Sequence, residues 1–414
     1  MNRPEPGTVL FSRYVESLAS GQVWEYDFGT KQSVKDVAGQ THLALNRPLD
    51  FPPIESAIVA GDRVALAVDP NVPQICEVLT GVLKTLAHTD AGDVDIVLWD
   101  EATDETIASI ADAIGDSATI IRHDSGHREA LRYLAADKEA EPIYLNRALV
   151  DADFVLPIIC TRPMDALGRH DLTGVFPSLA DASTRVRHRS RMHDYNAKQD
   201  DADESQIAWL LGVHLVLTVT ANPSGMAGEI IAGTIDAISK HISPPRRQSD
   251  QFPPAAPLIV ASLDGDKQQQ TWANAARALV AASRYVADDG TIVLWTEIDS
   301  PPAGTLARLA DLSDIDAELE REIEQPETDA EGFLHWDDAV TLASTIYRIA
   351  NDHRILIHTQ LDRETIEPIG LGAIDSAEQL VQLSQSYESC GILRAAQFAG
   401  STIDAPHRPD VQCE

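Results

Sequence analysis

The chain has 414 residues, of which 44% are hydrophobic and 23% charged, and this balance is ordinary for a folded protein of one or more domains. Its 32 lysines and arginines against 65 aspartates and glutamates give a formal net charge of −33, which repels phosphate backbones. The sequence contains no run of about 18 apolar residues and no apolar signal core at its N-terminus. We therefore expect a cytoplasmic protein that binds neither nucleic acid nor membrane.

Short β-branched segments alternate with amphipathic segments through the first half of the chain. Strands are predicted at residues 63–69, 93–100, 151–160 and 212–220, and helices at residues 72–89 and 104–116. In the first helix the apolar face is formed by Ile75, Leu79, Val82, Leu83 and Leu86. This alternation of strand and helix predicts a parallel sheet with helices on its faces.

A proline-rich stretch at residues 242–257 divides the chain, because its prolines are incompatible with regular structure. After it the alternation of strand and helix begins again. Strands are predicted at residues 258–264, 291–299 and 354–360, with helices at residues 269–287 and 337–352 and a turn at 288–290. The sequence therefore predicts an N-terminal α/β domain over residues 1–250, a C-terminal α/β domain over 251–400 and a polar tail over 401–414.

A basic, histidine-rich stretch follows the predicted strand at 151–160, in the position where ligands bind in parallel sheets and in clefts between lobes. His170, His188 and His193 are its candidates for proton transfer, because imidazole titrates near neutral pH and also binds metals. The alternative is that these are solvated histidines without a chemical role.

Arginines recur at every second position in the same stretch, at Arg185, Arg187, Arg189 and Arg191. If the segment were extended, all four would lie on one side and could bind a carboxylate or phosphate through paired hydrogen bonds. The alternative interpretation is that these arginines pair with the acidic body of the same protein.

Several short segments occur in an order that resembles the lactate racemase family, from about residue 60 to about residue 400. The matching residues are Asp69 and Pro73 after the first strand, His123 with Asp124, Asn146 with Arg147 and Asp153, Pro177 with His188, and Asn274 with Arg277 in the second half. The resemblance implies two α/β domains with an active site in the cleft between them. It also implies a nickel-pincer nucleotide cofactor, anchored by a lysine, and two histidines that move the α-proton of a 2-hydroxy acid.

The sequence departs from this family at the residues that carry the chemistry. Thr103 and Met164 stand in the places of the two catalytic histidines, and Gly174, or His170 in another alignment, stands in the place of the anchoring lysine. Only His188 matches, as counterpart of the nickel ligand. Losing one general base typically slows a reaction ~10²–10⁴-fold, so we leave the cofactor of this protein unknown.

Two hypotheses about function follow. In the first, the chain is a divergent isomerase or racemase of a small 2-hydroxy acid, with a base among the three histidines. Its substrate would be bound by Asp69, Arg185, Arg187, Arg189, Asn274 and Arg277. In the second, it is a non-catalytic relative that binds a small anionic metabolite or a protein partner. A third interpretation, a generic two-domain binding protein with accidental likeness, remains because fold does not establish function. The sequence does not indicate an oligomeric state.

Overall fold

The structure is a computed structural model of the whole chain. It describes residues 22–26, 32–161, 173–192, 201–242, 255–309 and 338–399, together with the single residues 315, 317, 318, 321 and 328. Within these residues the strands form two large sheets and one hairpin. No helix in the described ranges is long and apolar enough to cross a bilayer.

The first sheet has the strand order β4-β3-β2-β7-β8-β9, and only its last pair, β8 with β9, is antiparallel. Its strands are β2 (Val64–Val68), β3 (Val94–Leu98), β4 (Thr119–Arg122), β7 (Phe154–Thr161), β8 (Val216–Ala221) and β9 (Ala227–Gly233). The antiparallel hairpin lies between β4 and β7 in the chain and consists of β5 (Leu131–Ala136) and β6 (Pro142–Asn146).

Helices α1 to α8 accompany the first sheet. They are α1 (Val37–Asn46), α2 (Ile54–Ala57), α3 (Ile75–Leu86), α4 (Asp104–Ile114), α5 (Arg147–Val150), α6 (Ala182–Met192), α7 (Asp201–Leu210) and α8 (Ile235–Ile242).

The second sheet is parallel throughout, with the order β1-β14-β10-β11-β12-β13. Its strands are β1 (Gln22–Tyr26), β10 (Ala256–Ser262), β11 (Val286–Trp295), β12 (Arg354–His358), β13 (Gly372–Ala373) and β14 (Ser389–Leu393). Its helices are α9 (Trp272–Ser283), α10 (Gly304–Ala307), α11 (Asp338–Asp352), α12 (Arg363–Ile366) and α13 (Ala377–Ser384).

Both faces of the central strands are covered by other elements. Successive side chains of a strand point to opposite sides, so each strand contributes to the core on both faces. In β2, Leu66 and Val68 pack under α1, α3 and α4, whereas Ala65 and Ala67 face the hairpin and α7. Burying a side chain such as Leu66 completely contributes about 1.5–3 kcal/mol. The unbroken apolar run of β2, which predicted a buried strand, follows from this two-sided burial.

The predicted fold class, two α/β lobes built on parallel sheets, is confirmed. The structure differs in detail near residue 289, where a turn was predicted at 288–290. These residues instead lie inside β11, where they form an irregularity: Asp289 adopts a φ of 55° and the pairing with β10 shifts register. Strand β1 joins the second sheet, which the sequence did not predict. The predicted boundaries at residues 250 and 400 stay predictions, and the tail lies outside the described residues.

The two sheets meet at their carboxyl edges. Gly225, in the turn between β8 and β9, has a φ of 72° and lies against the backbone that follows β10. A Cβ on this glycine would lie 2.4 Å from the carbonyl carbon of Asp264. Apolar contact accompanies this approach, because Ala281 of α9 and Phe398 belong to the same buried cluster as the core of the first sheet. The lobes are therefore in close contact over both polar and apolar surfaces.

We expect Gly225→Ala to destabilise the protein more than Gly212→Ala. Both glycines have positive φ, at 72° and 74°, so both substitutions carry the left-handed penalty of ~1–2 kcal/mol. Only the new Cβ at 225 meets another lobe, whereas the one at 212 meets nothing within 4 Å. Thermal unfolding of the two variants measures the difference. Equal melting temperatures would mean that the lobes are not in contact at Gly225.

Candidate functional site

The loops after β2 and β3 carry a group of hydrogen-bonded polar side chains. Asp69 Oδ1 accepts hydrogen bonds from the backbone N of Asn71 at 2.9 Å and from its Nδ2 at 3.1 Å. Asn71 Nδ2 also donates to Glu101 Oε1 at 2.8 Å. Asp69 and Asn71 are buried, so these bonds satisfy polar atoms that water does not reach.

The start of α9 supplies the other half of this group. Arg277 binds Glu101 with both terminal nitrogens, Nη1 to Oε1 at 2.6 Å and Nη2 to Oε2 at 2.8 Å. Asn274 Nδ2 donates to Asn71 Oδ1 at 3.0 Å, and Asn274 Oδ1 accepts from Arg277 Nη1 at 2.9 Å. Gln269 Nε2 donates to the carbonyl oxygen of Asn71 at 3.1 Å. Paired arginine–carboxylate hydrogen bonds of this kind are the strong ones in proteins.

We call this group the inter-lobe network. Its members are Asp69, Asn71, Glu101, Gln269, Asn274 and Arg277. Of these, Asp69, Asn274 and Arg277 were predicted to bind a substrate in the cleft. The structure brings the three together. Asn274 and Arg277 bind partners in the first lobe, and Asp69 accepts hydrogen bonds from one of those partners, Asn71. Their role toward a ligand stays a prediction.

Three members of the network were missed by the sequence reasoning as ligand-site candidates. Asn71, Glu101 and Gln269 each lie within a few residues of a strand's carboxyl end. That position was the available signal, since the loops after parallel strands face one another. Which residues would pair could not be read from it, because Glu101 and Arg277 are 176 positions apart.

Arg185 binds Asp100, the residue before Glu101, and both side chains are largely buried. The predicted extended row of arginines is wrong, because residues 182–192 form helix α6. A step of two residues turns a helix by about 200°, so Arg185 and Arg187 point in opposite directions. Arg185 accordingly points to the loop after β3, whereas Arg187 points to the hairpin. The pairing of Arg185 with Asp100 agrees with the alternative interpretation, in which the arginines pair with acidic residues of the same protein.

Arg187 lies beside a pocket between the hairpin and helices α6 and α7. Its Nη2 donates to the carbonyl oxygen of Pro142 and to Thr184 Oγ1, each at 3.1 Å, and Asp137 lies 3.7 Å from its Nε. The pocket has a volume of about 160 Å³. We call it the hairpin pocket; it is lined by Ala136, Asp137, Lys138, Ile143, Phe176, Thr184, Arg187, His188, Gln206, Ile207 and Leu210.

His188 lines the hairpin pocket beside Arg187, so the structure brings two of the predicted site residues together. Its buried imidazole meets the ring of Phe176 edge-on, with ring centres 5.4 Å apart. His170 and His193 lie outside the described residues. Arg189 lies in α6, but its side chain is also outside the described part of the structure. The convergence of the three histidines therefore stays a prediction.

His123, one of the residues that match the lactate racemase family, is buried. Its Nε2 lies 2.9 Å from the carbonyl oxygen of Ala180, and its Nδ1 lies 3.3 Å from Nδ2 of Asn146. Nε2 therefore donates and Nδ1 accepts, which describes a neutral ring. Burial lowers the pKa of His123 to about 4, with a further lowering by the charge of Arg185. His123 is thus a structural group that joins β4 to the segment before α6.

Solved structures of other proteins resemble this chain in fold. The lactate racemase apoprotein from Thermoanaerobacterium thermosaccharolyticum is similar, with a TM-score of 0.66 at 13% identity over 89% of this chain and 94% of that one. The chain has a lactate-racemase-like fold. A structural-genomics protein from Thermotoga maritima is also similar, with a TM-score of 0.57 at 12% identity over 90% and 99% of the two chains. No protein-family model and no curated protein matches the sequence.

Within this lactate-racemase-like fold, Thr103 and Gly174 have local structural roles. Thr103, predicted in place of a catalytic histidine, caps α4 by accepting a hydrogen bond from the backbone N of Thr106 at 3.1 Å. Gly174 has a φ of 63°, and a Cβ there would lie 2.5 Å from Cγ2 of Ile159. This position therefore does not fit the lysine anchor that the resemblance implies for a nickel-pincer nucleotide. Met164 and His170 lie outside the described residues.

A metal role was also predicted for His188, which lies in the described ranges. There, no group of three or more His, Cys, Asp or Glu side chains is arranged to hold a metal ion. His188 as a nickel ligand remains a prediction.

We expect Glu101→Gln to lower the free energy of unfolding by ~1.5–3 kcal/mol, because it removes the charge from paired hydrogen bonds to Arg277. Urea denaturation measures the loss. The matched control is Asp375→Asn, which removes the charge from an exposed pair with Arg363 and should change stability little. Equal effects of the two substitutions would show that the inter-lobe network does not hold the lobes together.

We also expect acid to destabilise the protein through His123. Its pKa is about 4 in the folded chain and about 6.5 when unfolded, so the unfolded state binds more protons between these values. The free energy of unfolding should therefore decrease as the pH is lowered through this window. His123 contributes up to ~1.4 kcal/mol of this decrease per pH unit. The His123→Gln variant keeps a hydrogen-bond donor but does not titrate. Its urea midpoint should therefore decrease less steeply than that of the wild type as the pH is lowered. Above about pH 7 the urea midpoints of the two proteins should change with pH in parallel. Identical slopes below about pH 7 would contradict the low pKa of His123.

Proposed function

We propose that this protein binds a small carboxylate-bearing metabolite in the hairpin pocket, on a lactate-racemase-like scaffold whose inter-lobe residues bind one another. The observation that carries the proposal is the shared position of His188 and Arg187 in the wall of one pocket. The guanidinium of an arginine matches the geometry of a carboxylate and can bind it with two hydrogen bonds.

The charges at the pocket support an anionic ligand. Its lining contains Arg187 and Lys138 against one carboxylate, Asp137. The protein as a whole carries a net charge of −33, so a positive excess at one pocket is a local exception. Such an exception attracts a small anion toward that pocket while the rest of the surface repels it.

The inter-lobe network supports the same choice of site. Asp69, Asn274 and Arg277 would have to exchange their present hydrogen bonds for bonds to a ligand if the ligand entered between the lobes. Each buried polar group left without a partner during that exchange costs about 1–3 kcal/mol. Binding in the hairpin pocket would involve the hydrogen bonds of one partly exposed side chain, Arg187, rather than those of a buried network.

A second candidate function is isomerisation of a small 2-hydroxy acid at the same pocket. His188 favours it, because an imidazole beside a carboxylate-binding arginine is placed to take a proton from the neighbouring carbon. Racemisation needs an acid–base group on each face of that carbon, and His188 is the one histidine among the described lining residues. Binding without turnover is therefore the function we put first.

Calorimetric titration of small carboxylates, L-lactate among them, tests the proposal. The wild-type chain should bind, and Arg187→Gln should weaken binding ~10–100-fold, the loss expected for a hydrogen bond to a charged group. The matched control is Arg147→Gln, which removes an equal charge from an exposed pair with Asp151 and should bind like the wild type. No binding, or equal binding by both variants, would contradict the proposal. A chiral assay of lactate with wild type and His188→Gln then distinguishes binding from isomerisation.

A further inference from the structure

We infer that the hairpin pocket selects carboxylates with a branched aliphatic or phenyl-sized apolar group over acetate-sized and lactate-sized ones. The inference rests on the proposed function and names the ligand class of the same pocket. It follows from how the lining residues divide between an apolar wall and a polar rim.

The apolar wall is continuous with the core of the first lobe. Ile143 of β6, Phe176 and Ile207 of α7 all line the pocket, and all three belong to the buried cluster on one face of the first sheet. Leu210, one turn further along α7, extends this wall toward solvent. These side chains come from three separate segments, so the wall is held in place by the packing of the lobe.

The polar rim is formed by residues that contact one another. Arg187 donates to Thr184 Oγ1 at 3.1 Å, and its Nε lies 3.7 Å from Asp137. These contacts restrict the position of the guanidinium beside the pocket. His188 also lines the pocket and contacts Phe176 of the apolar wall edge-on. A ligand that used both parts would place its carboxylate at Arg187 and its apolar group against Ile143, Phe176 and Ile207.

The volume of the pocket fits such a ligand. A cavity of about 150 Å³ lined by leucine, isoleucine and phenylalanine accommodates benzene, a known case in another protein. The hairpin pocket, at about 160 Å³, is of that size. An acetate methyl would leave most of the apolar wall in contact with water. Each additional buried methylene is expected to tighten binding about fourfold, which corresponds to ~0.8 kcal/mol.

The test uses acetate, isovalerate and phenylacetate, which share one carboxylate and one charge and differ in apolar size. Calorimetry on the full chain should show affinity rising in this order, with phenylacetate binding at least ~10-fold more tightly than acetate. Leu210→Ala should reduce that ratio several-fold, because it removes part of the apolar wall. The matched control is Trp209→Ala on the same helix, whose side chain is 74% exposed and does not line the pocket.

The outcomes separate this inference from the proposed function. A rising series whose ratio falls in Leu210→Ala and not in Trp209→Ala supports both. Equal affinities for acetate and phenylacetate, or an unchanged ratio in Leu210→Ala, overturn the selectivity and leave carboxylate binding standing. If none of the three binds, both are wrong.

Discussion

The paired hydrogen bonds between Glu101 and Arg277 are the interaction on which the arrangement of the lobes depends. One partner follows β3 of the first sheet and the other lies in α9 of the second, and both are mostly shielded from water. A buried charge without a partner is costly, so neither side chain can leave its site without a large penalty. Asn71, Gln269 and Asn274 surround the pair with further hydrogen bonds, two of which join the lobes.

The proposed choice of ligand site is related to this interaction. Parallel α/β sheets usually bind ligands beyond the carboxyl ends of their strands, and here those ends face the other lobe. The same acidic loop receives an arginine from each side, Arg185 on Asp100 and Arg277 on Glu101. Asp69, Asn274 and Arg277 form hydrogen bonds within this network, and the hairpin pocket lies on a different part of the first lobe.

The sequence predicted the elements whose signals are local. The apolar run of β2 and the helical spacing of Ile75, Leu79 and Val82 are each contained within a dozen residues, and both were confirmed. Helix α6 was missed because alternating arginines outweighed a shorter signal. Asp181 caps that helix by accepting hydrogen bonds from the backbone N and the hydroxyl of Thr184, an Asp-x-x-Thr pattern typical of a helix start.

Contacts between distant residues were not predictable in the same way. The pairing of Glu101 with Arg277 depends on how two sheets are placed, and no single stretch of sequence encodes it. The hairpin pocket has the same origin, because β6, α6 and α7 meet only after the first sheet has formed. Of the predicted site residues, the structure groups Asp69 with Asn274 and Arg277 of α9, whereas His188 and Arg187 lie at a separate pocket.

Strand β1 pairs with β14, so the earliest described strand lies in the same sheet as the last. During synthesis β1 leaves the ribosome first, and its partner follows only after both lobes have been translated. Until then β1 lacks β14, its partner among the described strands, and β14 without β1 would present an open edge of the kind that promotes aggregation. A fragment beginning at the proline-rich stretch would have that edge permanently. The pairing of β1 with β14 therefore makes the sheet of the C-terminal lobe depend on a strand from the N-terminal part of the chain.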